Sequence, residues 1–455
     1  MPGAPGSPEP HPRWRRHVAV FIGGQTASLF GSMLVQYAIF WYLAIAFQSG
    51  VTMTLAAVAG FLPQAVVSVF AGVWADRTNR KWLIIGADSA IAASTLVLAL
   101  ALVAGVTDPW IIFVTLAIRS AGAGVQSPAV SALIPQITPT DQLMRVNGVL
   151  GSTQSALALI APALAGAIYA WAATGSGGSP LALLPVFAID IMTALIGIGL
   201  LATIPVAAVR AAGATTGYFE DLIEGVRYVT THAFVRWLLA LFAIIFVLTV
   251  APSNLTPLML VRSFPSGEQG NVVNLALLEM SFSVGMVVGG VLVATLASGW
   301  NRIRLIAGSS LVFGVLSIGL GLAPNLPVFF AVMLLIGLGV PFFSTSSMTL
   351  VQETVEPERQ GRVFGFVGIV TALAMPIGML VFGPLADIIP VEAILVGTGI
   401  ATFVVIALAL GLPAGRRAIA AAHLASGPAD GTGTAAPAGE APELGSVADP
   451  DSLSR

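Results

Sequence analysis

The stretch GVWADRTNRK, residues 72–81, packs one acidic and three basic residues into ten positions. The stretch before it, 17–75, holds no Asp, Glu, Lys or Arg at all. A charge-free run of that length exceeds what one pass through a bilayer needs, since a hydrocarbon core of about 30 Å is crossed by about 20 helical residues. The decapeptide therefore reads as a polar stop after two passes, and the rest of the chain repeats the pattern. Hydrophobic residues make up 56% of the 455 positions and charged ones 9%, against about 25% charged in soluble domains. Twelve apolar runs follow one another, at 18–46, 52–75, 82–105, 110–133, 146–172, 181–204, 237–261, 272–297, 303–323, 327–349, 363–388 and 391–412. They are continuous and rich in Leu, Ala, Val and Gly, not alternating in ten-residue segments, so an all-α integral membrane protein is expected and a β-barrel is not. The first run is too long for a signal-peptide core and is read as the first span.

Basic residues collect on the cytoplasmic side of membrane proteins. With the N-terminus inside, the Arg-rich start, Arg77, Arg80, Lys81, Arg145, Arg210, Arg227, Arg236, Arg302, Arg304, Arg359, Arg362, Arg416 and Arg417 all fall inside. Only Arg262 falls outside, and Arg119 lies within a span. Both termini are thus expected in the cytoplasm. Lys81 is the only Lys among 19 basic residues, a usage that fits a GC-rich bacterial genome and hence a bacterial plasma membrane.

The longest internal connection contains GYFEDLIEGVRYVTTH, whose Tyr218, Phe219, Leu222, Val226 and Val229 recur at helical steps among charged residues. This is the pattern of an amphipathic helix lying on the membrane surface. It divides the chain into a tail at 1–16, a six-helix half at 17–204, a linker at 205–236, a second half at 237–413 and a tail at 414–455. IPQITPTDQLMRVNGVLG after the fourth run is echoed by VQETVEPERQGRVFGFVG after the tenth, which argues for parallel duplication. The last segment is Ala, Gly, Pro, Asp and Ser with little aliphatic periodicity and is expected to be disordered.

Composition removes several functions. The chain has no Cys, and its four His residues lie outside or at the edges of the spans, so no metal site is expected. A net charge of −2 argues against nucleic acid as a partner. No cofactor motif and no nucleophile–base cluster can be assembled, so an enzyme is not expected.

Between the second and third spans, Gly72, Asp76, Arg77, Arg80 and Lys81 fill the pattern of Gly, three residues, Asp, Arg, two residues and a basic pair, with Asn79 where a second Gly is usual. The chain here resembles the major facilitator superfamily, over roughly residues 15–413. The resemblance implies twelve transmembrane helices as two parallel six-helix halves, and a conformational switch in which Asp76 faces the N-terminus of the eleventh helix. Gly72 is expected to let a neighbouring helix approach closely. In the fourth span, Arg119, Gly122 and Gly124 resemble the family's proton-coupling motif, and Gly148, Pro162 and Gly166 partly match its antiporter motif in the fifth, with Leu157, Ala161 and Ala165 where further Gly would stand. FFSTSSMTLVQETVEPERQGRVFG, RSAGAGVQSPAVSALIPQ and FEDLIEGVRYV are most similar to the macrolide-efflux and siderophore-exporter branch.

Other polar residues within the spans mark candidate sites. In the first span Gln25, Ser28, Ser32 and Gln36 share one helix face, flanked by Tyr37 and Trp41. With Gln126 in the fourth and Asn254 in the seventh, they are expected to face a substrate cavity. Arg119, Asp190 and Glu279 lie nearest the bilayer middle, where a charge needs a partner or a carboxylate takes up a proton. These three and Asp88 are the proton-coupling candidates; Asp88 ranks behind because it is nearer the cytoplasm, within reach of pairing with a loop Arg. Asp387 is assigned no role. The reading is a proton-coupled transporter, taken as a monomer in the lipid bilayer, that exports a hydrophobic or amphipathic small molecule such as a macrolide-like drug or natural product. A siderophore or lipid-related exporter, an importer on the same fold, and a non-transporting receptor or scaffold stay open.

Overall fold

The computed structural model describes residues 13–176, 179–206, 227, 231–296, 300–355, 357–413 and 415. The side chains of Asp76 and Arg362 lie outside that description. So do the amphipathic stretch expected at 217–229, apart from Arg227, and the tail beyond Gly415. Among the described residues, twelve helices are long and apolar enough to cross a membrane. They are α1 Trp14–Phe47, α2 Gly50–Arg77, α3 Arg80–Val103, α4 Pro109–Ile137, α5 Leu143–Ser176, α6 Leu184–Ala202, α7 Ala233–Ser263, α8 Gly267–Leu296, α9 Arg302–Gly321, α10 Leu326–Thr354, α11 Pro357–Ala386 and α12 Val391–Gly411. No strand occurs among the described residues.

Most helices run a few residues past the apolar spans, because the span measures the hydrocarbon core while the helix continues until its backbone is capped. Ser49, Asn79, Asp108, Asn301 and Asn325 each accept a backbone N–H at the start of the helix that follows. The seventh span bends as its prolines require: Ala233–Asn254 stops at Leu255, and Thr256–Ser263 restarts with Pro257 in its first turn.

Helix pairing repeats between the halves. In the first, α1 packs on α5 and α6, α2 on α4, and α3 on α4 and α6. In the second, α7 packs on α11 and α12, α8 on α10, and α9 on α10 and α12. The two halves meet along α2 with α11 and α5 with α8. With twelve passes, α1 begins and α12 ends on the same side, the terminal face; the opposite side is the far face.

Apolar packing differs between these faces. Toward the far face one core joins both halves, combining Leu43, Met53 and Tyr169 with Leu258, Phe329 and Leu395. Toward the terminal face the cores are separate: Phe21, Ile84, Leu133 and Leu201 in one half, and Phe234, Leu238, Leu350 and Val363 in the other. The molecule is therefore closed on its far face.

That closure is built on the α2–α11 crossing. A Cβ at Gly50 would collide with the Gly383 carbonyl, and one at Gly383 with Thr54 Oγ1, so the backbones approach as only glycine permits. Thr54 Oγ1 donates to the Met379 carbonyl at 2.8 Å. Just beyond α11, Asp387 accepts the N–H groups of Gly50 (2.7 Å) and Val51 (2.9 Å) and the Ser49 hydroxyl (2.9 Å), capping the start of α2. Arg262 completes the lock, donating to Asp387 at 2.8 Å, to the Ala386 carbonyl at 2.5 Å and to the carbonyl of Gln48, which turns left-handed at the α1–α2 corner.

Partial burial pushes the Asp387 carboxyl up, but the Gly50 and Val51 N–H groups, Arg262 and Ser49 outweigh it and hold the group below its usual range. The lock is consequently complete at neutral pH and is lost only as pH falls through that lowered value, below about 3.9. Each hydrogen bond to a charged group contributes about 1.5–3 kcal/mol. Asp387→Asn should therefore populate forms open on the far face, read as longer spin-label distances between the far ends of α2 and α11, while wild type stays unchanged from pH 8 to 5. Equal distances in variant and wild type would contradict this role.

Candidate functional site

The decapeptide's cations bind helix ends within their own half. Arg80 donates to the Ala75 carbonyl of α2 at 2.9 Å and the Ala132 carbonyl of α4 at 3.0 Å. Lys81 Nζ reaches the carbonyls of Ala202 and Ile204, at 2.7 and 2.8 Å, at the end of α6. Carbonyls at helix C-termini favour a cation, so these bonds gather α2, α3, α4 and α6 into one unit. Arg77 is exposed. The close helix approach expected at Gly72 is absent: no described heavy atom lies within 4 Å of a Cβ placed there, because the halves are apart at this face. Whether Asp76 reaches α11 lies outside the described residues.

Deeper in the first half, Arg119 of α4 and Asp190 of α6 form an ion pair at 2.5 Å, with 6% and 1% of their side chains exposed. Arg119 also donates to the hydroxyl of Thr95 in α3, and, at a long 3.4 Å, to the Ser32 carbonyl of α1. Thr95 donates to Asp190 at 2.9 Å. Asp190 is thus not the lone carboxylate expected from its depth; Arg119 neutralises it, and four helices share the pair.

One level toward the terminal face lies a second buried acid. Asp88 accepts the Ser28 hydroxyl at 2.9 Å and the Gln126 amide at 2.6 Å, with Gln25 at 3.5 Å from the same amide. The loop Arg expected beside Asp88 is not its partner, since neutral groups from α1 and α4 already occupy it. The same bonds correct the cavity assignment of Gln25 and Gln126, which are 5% and 8% exposed and point into the half. Ser32 likewise turns toward Asp190, at 3.4 Å. Gln25, Ser28 and Ser32 of α1 thus look toward Asp88 of α3 and Asp190 of α6 instead of an aqueous path.

The remaining candidates lie around the seam. Glu279 of α8 is only half-buried and makes no hydrogen bond or ion pair among the described residues. It lies within electrostatic reach of Tyr37 across the seam, whose ring sits 5.7 Å from that of Trp41. Gln36 faces Gly60 of α2. Asn254 bonds back to the Val250 carbonyl of its own helix at 3.2 Å. In α5, Gly166 lets Ala276 of α8 pack against its backbone, Pro162 is carried within the helix, and Gly148 stands in open space.

The second half encloses a cavity of about 220 Å³ walled by Phe246, Phe282, Phe313 and Phe343, with Thr249, Ser253, Ser309, Ser310 and Ser344 as its hydroxyls. Aromatic walls with a few hydrogen-bonding groups suit an amphipathic ligand. The four Phe carry no signal in the sequence and look like ordinary core residues until α7, α8, α9 and α10 are assembled. The sequence also passed over Arg262 and Asp387, although Arg262 was the one basic residue on its side.

Breaking a buried pair by removing one partner costs about 3–5 kcal/mol. Asp190→Asn should lower the thermal midpoint of the purified protein strongly, and adding Arg119→Gln should restore much of it. Glu279→Gln, which breaks no bond, should melt near wild type. Indistinguishable midpoints for Asp190→Asn and Glu279→Gln would refute this division.

Comparison with known proteins agrees with this architecture. The Major Facilitator Superfamily model matches residues 21–379 and 268–435. Macrolide efflux protein A of Streptococcus pyogenes is 33% identical over 394 residues, covering 84% of this chain and 93% of that protein. The Enterococcus faecalis protein of the same name is 34% identical over 330 residues, covering 70% and 96%. The crystal structure of the nucleoside transporter NupG superposes with a TM-score of 0.67 at 13% identity, over 87% of this chain and 98% of that one, which speaks to fold alone. With twelve spanning helices in two repeated halves and relatives of this kind over most of its length, the chain belongs to the Major Facilitator Superfamily of transporters, in its macrolide-efflux branch.

Proposed function

We propose that this multi-pass membrane protein exports an amphipathic small molecule, a macrolide-like drug or natural product, in exchange for protons, with Glu279 as the carboxylate that carries the proton. The observation behind the assignment is that Glu279 has no hydrogen-bond or ion-pair partner among the described residues, while Asp190 and Asp88 are held. Protonating Asp190 would strand Arg119 as a buried charge, and Asp88 is tied to Ser28 and Gln126. Glu279 can gain or lose a proton without breaking any such bond. It belongs to α8, which also supplies Phe282 to the aromatic cavity.

The basic residues support placing the terminal face, and both termini, in the cytoplasm of a bacterial cell. The closed far face then makes this an inward-facing form ready to load. Alternating access would follow from breaking the Arg262–Asp387 lock and closing the terminal face instead, as the halves rock about the α2–α11 and α5–α8 seams. Competition between substrate and proton supplies the exchange: loading one lowers affinity for the other, and the effect is reciprocal.

Proton release on adding a macrolide to purified protein in weakly buffered detergent solution tests this. Wild type should release protons; Glu279→Gln should not, while still binding the drug. Release that persists in Glu279→Gln would remove Glu279 from the coupling role, and absence of any drug-induced release in folded wild type would remove proton exchange itself.

A further inference from the structure

A second cavity, of about 360 Å³, opens at the far face between the halves. Its walls include Tyr42 from α1, Tyr169 from α5, Val261 from α7 and Glu268 from α8. The two tyrosines are 8% and 1% exposed, so their rings are fixed by the surrounding core, and both lie within electrostatic reach of Glu268. Glu268 is half-buried and has no hydrogen bond or ion pair among the described residues.

No cationic side chain among the described residues neutralises this carboxylate; what compensates it is the first turn of α8, where the helix dipole favours an anion. Arg262 is engaged by Asp387, Gln48 and Ala386. The other far-face acids are occupied as well: Asp108 caps α4, Asp387 caps α2, and Glu392 accepts the Ser263 hydroxyl. Asn271, also in the wall, already accepts the Ser266 N–H at 3.0 Å. One free carboxylate beside two aromatic rings falls short of the six to eight oxygens that a calcium ion takes. It matches an alkylammonium group, whose charge meets the carboxylate while its methyl groups lie against the rings.

We propose that Tyr42, Tyr169 and Glu268 form a binding site for an organic cation of the tertiary or quaternary ammonium class. Because its walls come from both halves, the site is assembled only when the far face is closed, and a bound cation favours that form. Its use as the last station for a cationic substrate before release rests on the efflux reading; the binding itself does not.

Calorimetric titration of the full-length purified protein with choline, and with its uncharged carbon isostere dimethylbutanol, tests the proposal. Choline should bind, and the isostere should bind at least about tenfold more weakly, the contrast expected when a charge is recognised. Glu268→Gln should weaken choline by at least about tenfold. Asp141→Asn, which alters an exposed carboxylate between α4 and α5, should bind as wild type does. Wild-type choline affinity in Glu268→Gln, equal affinity for the isostere, or no choline binding by folded wild type would each overturn it. Proton release that survives Glu279→Gln would overturn the coupling assignment and leave this site standing.

Discussion

A polar group within the hydrocarbon has to find its partner inside the protein, because no water is there to replace it. Most of what distinguishes this chain follows from how that requirement is met. Arg119 and Asp190 neutralise each other at 2.5 Å, and Thr95 and Ser32 take up their remaining capacity. Asp88 is held by Ser28 and Gln126. These bonds cross from α1 to α3, α4 and α6, so that satisfying the charges also fixes the four helices against one another. The second half has no comparable network among the described residues. Its interior offers aromatic walls and hydroxyls, and Glu279 is left without such a bond.

The halves are thus alike in topology and unlike in chemistry. The same pairing of helices recurs in each, yet the first is cross-linked by ionised and amide groups while the second presents surfaces that can adapt to a ligand. At the α2–α11 and α5–α8 crossings, close contact is made by small residues and backbone: Gly50 on Gly383, Gly166 on Ala276, Thr54 on the Met379 carbonyl, Ser283 on the Ala158 carbonyl. Contacts of this kind have little side-chain interlocking to undo when one half moves past the other.

How much of this could be read beforehand depended on which physical variable the sequence records. Span number and the repeated halves follow from composition along the chain, and they were legible. Position along the spans is what made Arg119, Asp190 and Glu279 stand out. What a linear pattern does not record is the direction in which a helix face points once its neighbours are in place. Gln25, Ser28 and Ser32 were correctly grouped on one face, but only packing reveals that the face looks toward Asp88 and Asp190 instead of a substrate path. Asp387 was missed for a different reason: its partners are largely backbone N–H groups at the start of α2, which carry no residue signature.

The makeup of the far-face lock bears on how this protein can diverge. Four of its contributions come from the main chain, namely the N–H groups of Gly50 and Val51 and the carbonyls of Gln48 and Ala386. Such groups survive most replacements of the side chains attached to them. The charged contribution rests on two codons, those for Arg262 and Asp387. A lineage could accordingly retune how firmly the far face is held by one substitution at either position, without touching the aromatic cavity or Glu279, so that a change in the lining of that cavity need not be acquired together with a change in this lock.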